Sequence, residues 1–130
     1  NDGFLYRWTW DSGAETLTQD FSNDFTYAIK GISVDASGSI YILTNEPSIL
    51  KITDTGSGFS TDWTATTNVE SDDDSFTVTP NGYICAAEGA NQTIRVWDDT
   101  GSYVKSQNLT GYTDKLITVP GPYGTFPTNW

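Results

Sequence analysis

Val34-Asp35-Ala36-Ser37-Gly38-Ser39-Ile40-Tyr41-Ile42 returns later in the chain, altered in detail but not in chemistry, as Val78-Thr79-Pro80-Asn81-Gly82-Tyr83-Ile84-Cys85-Ala86. Each stretch is followed by a second apolar run that closes on a glycine turn: Ile49-Leu50-Lys51-Ile52-Thr53-Asp54-Thr55-Gly56 in the first, Ile94-Arg95-Val96-Trp97-Asp98-Asp99-Thr100-Gly101 in the second. A third copy is split. Its front half is Ile117-Thr118-Val119-Pro120-Gly121-Pro122-Tyr123-Gly124-Thr125-Phe126, and its back half is Phe4-Leu5-Tyr6-Arg7-Trp8-Thr9-Trp10-Asp11-Ser12-Gly13. Gly38 to Gly82 spans 44 positions and Gly82 to Gly124 spans 42; counted across Trp130 to Asn1, Gly124 to Gly38 is again 44. Self-similarity at this period marks an array of repeated units. The expectation is a module of three units covering residues 1–130, with the ends of the chain inside one of them.

Between these turns the chain reads as strand throughout. Thr, Ile, Val, Tyr, Trp and Phe recur in short runs that Gly, Asn, Asp and Pro interrupt, and no window holds a 3.6-residue period. Each unit is predicted to be a four-stranded antiparallel meander, A to D. The first full unit (about 26–65) has A at 28–35, B at 39–44, C at 48–53 and D at 59–65. The second (about 74–108) has A at 75–79, B at 82–88, C at 93–97 and D at 102–108. The split unit takes A and B from 115–119 and 123–127, and C and D from 4–10 and 15–21. Asp35, Asp54, Asp98 and Asp99 fall at turns and are expected to form them, because a short polar side chain can cap the backbone two residues on.

Four-stranded sheets repeated at this period are the unit of a β-propeller. Gly31-Ile32-Ser33-Val34-Asp35-Ala36-Ser37-Gly38-Ser39-Ile40-Tyr41-Ile42, followed by Ile49-Leu50-Lys51-Ile52, resembles the NHL-type and gluconolactonase-like propeller repeat. The resemblance implies a six-bladed ring. Three blades do not close one, so completion is expected either from a second copy joined head to tail or from the remainder of a longer chain. Ile94-Arg95-Val96-Trp97-Asp98 is superficially similar to a WD-type repeat, but the chain has no His and so lacks the Gly-His element.

Seventeen acidic against six basic residues give a net charge of −11. That balance disfavours nucleic acid and anionic membrane surfaces as partners. No run is long enough for a membrane helix, so membrane insertion is not expected. With Asn91-Gln92-Thr93 and Asn108-Leu109-Thr110 fitting the glycosylation acceptor pattern, the acidity suits an extracellular or cell-surface protein. The single cysteine, Cys85, lies in an apolar run and is expected to be a small core residue. Trp8, Trp63 and Trp97 are expected to pack between blades.

The D–A and B–C connections of a propeller share one face, where ligands bind. Here that face collects Asp24, Phe25, Glu46, Glu88, Asn91, Tyr112, Asp114 and Trp130, a set of carboxylates, amides and rings suited to a glycan or protein ligand. Asp72-Asp73-Asp74 offers hard oxygen donors that suit Ca²⁺, without the spacing of a Ca²⁺-binding loop. The absence of His removes Ser-His-Asp and Cys-His arrangements and His-ligated zinc. The leading expectation is therefore a non-enzymatic module for binding or assembly. The resemblance to gluconolactonase-like proteins carries the alternative, a divalent-metal-dependent lactonase-like hydrolase, with Glu46 or Glu88 joined by Asn45, Asn91 and Asp24 or Asp114 around the metal.

Overall fold

The computed structural model describes residues 3–46, 48–67, 75–88 and 92–110. Ten strands account for its regular structure, and the described residues contain no helix. They run β1 (Phe4–Asp11), β2 (Thr16–Asp24), β3 (Ile29–Val34), β4 (Ile40–Thr44), β5 (Ser48–Asp54), β6 (Phe59–Thr66), β7 (Ser75–Val78), β8 (Ile84–Glu88), β9 (Thr93–Trp97) and β10 (Tyr103–Asn108). They form three antiparallel sheets: β1–β2, β3–β4–β5–β6 and β7–β8–β9–β10. Both four-stranded sheets are simple meanders with short connections, and their strands fall where A to D were expected. Strands A and B of the split unit (115–119, 123–127) lie outside the described residues.

The turns explain why the strands stop where they do. In Asp35-Ala36-Ser37-Gly38-Ser39 the Asp35 carboxylate accepts from the Ser37 N–H (2.9 Å), the Ser39 N–H (3.0 Å) and the Ser37 hydroxyl (2.6 Å). In Asp98-Asp99-Thr100-Gly101-Ser102 the Asp98 carboxylate accepts the same three donors, at 3.0, 2.9 and 2.6 Å. One turn design thus closes an A–B hairpin in one sheet and a C–D hairpin in the other. Asp54 caps the Gly56 N–H at 2.7 Å, so it too is a turn former. Asp99 lies within the β9–β10 turn as well, and its carbonyl receives the Trp63 indole N–H at 3.0 Å.

Burial works to raise the Asp35 carboxyl, but the donors from Ser37, Ser39 and Tyr41 together hold it below the usual value. Asp98 is lowered chiefly by the Thr100 hydroxyl and then by the Ser102 N–H. A carboxylate with a lowered folded pKa stabilises fully above its unfolded pKa and loses that contribution as pH falls through the folded value. Thermal unfolding followed from pH 5 down to pH 2.5 should therefore show a falling Tm. Asp35→Ala should cost about 1 kcal/mol at pH 7, discounted for solvent screening, and reduce the acid sensitivity.

The sheets stack face to face, with β3–β6 in the middle. Register puts Tyr41 beside Ser33 and Lys51, and Leu43 beside Gly31 and Ile49, on one face. That face meets β7–β10: Tyr41, Leu43, Ile49 and Ala65 form one buried cluster with Val78, Ile84, Ala86 and Trp97. Ser33 Oγ accepts the Val78 N–H at 3.1 Å, which pins β3 to β7. The opposite face of β3–β6 meets β1–β2. Arg7 bridges to Asp54 at 2.9 Å, Phe21 stands edge-on to Phe59 (4.9 Å between centroids), and Asn23 Nδ2 donates to the Phe59 carbonyl at 3.2 Å. Layers on both sides explain why Tyr41, Ile42, Leu43 and Thr44 are all buried. A strand covered on both faces reads as a continuous apolar run rather than an alternating one.

Two expectations need correcting. Strand D of the split unit continues to Asp24, because pairing persists through Tyr6–Ser22, Leu5–Asn23 and Phe4–Asp24. Ser22, Asn23 and Asp24 are therefore strand, not loop. Trp8, expected between layers, is 49% exposed. It shares the face of β1 turned away from β3–β6, where no described layer lies. Trp97 is buried and Trp63 packs against the core, as expected. Cys85 is buried, and burial pushes its thiol pKa up to about 11. It is a small core side chain rather than a reactive thiol.

Candidate functional site

The connection from β2 to β3 and that from β4 to β5 meet at one end of the middle sheet. Asn45 N–H donates to the Ala28 carbonyl at 2.9 Å, tying the two together. Asp24 Oδ1 accepts the Thr26 N–H at 2.8 Å, and Thr26 adopts a positive φ of 70°. Phe25 is half-buried and its N–H donates to the Gly3 carbonyl at 2.9 Å. The Thr44 hydroxyl and the Ser48 N–H both reach the Glu46 carbonyl, and Asn45 Oδ1 accepts the Glu46 N–H at 3.0 Å. The backbone of Glu46 is thereby held while its carboxylate stays exposed.

Tyr27 completes this cluster. Its ring is 40% exposed. A hydrogen bond with the Glu46 side chain, reinforced by the charge of that carboxylate, raises its pKa. The phenol therefore stays protonated at neutral pH and acts as a donor to Glu46. The sequence places Asp24, Phe25 and Glu46 at this end but does not single out Tyr27. The one signal it offers is the position of Tyr27 within a connection assigned to the loop face.

A second feature opens between the middle sheet and β7–β10. A cleft of about 320 Å³ is lined by Thr66, Thr67, Arg95, Trp97 and Tyr103. Trp97 and Tyr103 meet edge-to-face there, 6.2 Å between centroids. Its volume is at the small end for ligand sites.

Glu88 ends β8 opposite Thr93. Its side chain, together with Asn91, Tyr112, Asp114, Trp130 and the Asp72-Asp73-Asp74 run, lies outside the described residues. Among the described residues no three His, Cys, Asp or Glu side chains gather closely enough to hold a metal. Asn45, a residue of the lactonase-like constellation, has its Oδ1 engaged within its own turn. No protein-family model matches this chain and no curated protein matches it in sequence.

Proposed function

We propose that this chain is a non-enzymatic β-propeller module, extracellular or at the cell surface, whose loop end recognises a glycan. The observation that carries this reading is the pairing of Tyr27 with Glu46, where two kinds of connection meet at one end of a sheet. A half-exposed ring next to a carboxylate is the chemistry a sugar needs: an apolar face for its C–H groups and an acceptor for its hydroxyls. The two four-stranded meanders in succession, face to face, with first strands β3 and β7 adjacent, support blades arranged around an axis.

A glycan array followed by calorimetric titration tests this. Tyr27→Ala should weaken the best ligand at least tenfold, and Glu46→Gln should weaken it less while leaving the fold intact. An array without binding, or binding untouched by both substitutions, would contradict the reading. A protein partner in place of a glycan would appear as an empty array. The lactonase-like alternative draws on the carboxylates of Asp24 and Glu46 at the same end. Submillimolar Ca²⁺ binding at one site per copy would favour it, and a flat Ca²⁺ titration would remove it.

A further inference from the structure

The face of β3–β6 that meets β1–β2 is only half covered. β1 and β2 sit over its β5–β6 side, through Arg7 to Asp54 and Phe21 to Phe59. Over β3 no described layer lies, and Ile32 and Val34, which register places on that same face, are 53% and 54% exposed. On the other side of the middle sheet the equivalent ground is covered: β3 packs on β7, and Tyr41 and Leu43 are buried against β8. The difference is two strands. β7–β10 has four, whereas β1–β2 has two and stops at the edge of β1. No described strand pairs with that edge, which leaves a row of backbone donors and acceptors beside bare apolar side chains.

The side of β1–β2 turned outward is equally unfinished. Phe4, Tyr6, Trp8 and Trp10 follow one another along β1 at 43–57% exposure. Four rings about half exposed leave on the order of 400 Å² of apolar surface on one strand. That is as large as the largest patch on an ordinary monomer, before Ile32 and Val34 are added.

We infer that the open edge of β1, with Ile32 and Val34 beside it, receives the segment 115–127 of a second copy of this chain. That segment carries the sequence pattern of strands A and B, the two strands β1–β2 lacks. The direction of the chain argues for a second copy rather than the same one. From β2 to β3, and again from β6 to β7, the chain steps forward onto the next sheet. Continued in the same sense after β10, the chain leads away from its own β1. On the far face of β7–β10 the two central strands, β8 and β9, present Cys85, Ala87, Ile94 and Val96, an apolar strip of the kind a following layer covers. A glycan could stack on the β1 rings but would leave the β1 backbone edge unsatisfied; a strand satisfies it. This inference rests on the propeller reading above and adds the partner that completes the array.

The test uses the full chain. Sedimentation equilibrium at micromolar concentration should give about 28 kDa, twice the 14.2 kDa of one chain. Ile32→Lys on the receiving side and Ile117→Asp on the donating side should each weaken association more than tenfold while leaving the circular dichroism spectrum unchanged. Mixing the two variants should restore a dimer, because each retains the half that the other has lost. A wild-type monomer of 14 kDa, or a dimer indifferent to Ile32→Lys, would overturn the inference. A monomer that Ile32→Lys destabilises would show the segment docked within its own chain, which also overturns it. Either result leaves glycan binding at Tyr27 standing, whereas a dimer that binds no glycan would remove only that earlier reading.

Discussion

Trp97→Ala is expected to destabilise the protein by about 3–5 kcal/mol, the loss that follows from emptying the centre of the core. Trp97 is 3% exposed and lies where β9 meets the middle sheet, in one cluster with Tyr41, Leu43, Ile49 and Ile84. It pairs directly with Ile84 across the β8–β9 ladder, and Tyr103 stands against its ring. Truncation would leave a void between two flat, hydrogen-bonded layers that cannot collapse without breaking register. Urea unfolding at pH 7 should show the loss as a lower midpoint with an unchanged slope. Val104→Ala, on β10 and 46% exposed, should change stability by less than about 0.5 kcal/mol. Equal effects at the two positions would mean that the core does not lie between these two sheets.

Gly101→Ala should be nearly as damaging, at about 2–4 kcal/mol, against about 1 kcal/mol for Gly38→Ala. Both glycines take the same place in the same turn, with φ of +83° and +89°, so both substitutions carry the cost of a side chain in the left-handed region. They differ in their surroundings. A Cβ at Gly38 would meet nothing within 4 Å, whereas one at Gly101 would stand 2.8 Å from Trp63 Cε3. Trp63 cannot easily give way, because its indole N–H is tied to the Asp99 carbonyl and its ring packs beside Tyr41. The difference between the two variants measures how tightly the β9–β10 turn is held against β6. Thermal unfolding of the pair is sufficient. Matching losses would show that the turn stands free of the neighbouring sheet.

The turns are the most legible part of this chain, because Asp followed by Ser or Thr and then Gly records both the capping acceptor and the residue that accepts positive φ. Strand order follows from them, and the observed sheets keep it. Alternation along a strand tells which side chains share a face, but not whether anything lies on that face. Trp8 and Trp97 look alike in sequence, yet one is half exposed and the other buried, because only Trp97 has a described layer opposite. The extent of β2 is similarly hidden. Ser22, Asn23 and Asp24 have turn-forming composition, and only the continued pairing with β1 keeps them extended. At the loop end, Asp24, Phe25 and Glu46 are legible from their position within the repeat. Tyr27 is not, since its partner Glu46 stands nineteen positions away and no local pattern joins them.

A crystal structure of the assembled 130-residue chain is decisive. It should show β3 and β7 innermost around a common axis, and the open edge of β1 hydrogen-bonded to residues 123–127 of a neighbouring copy over Ile32 and Val34. Sheets not arranged around an axis, or residues 123–127 packed anywhere other than on β1, would contradict it.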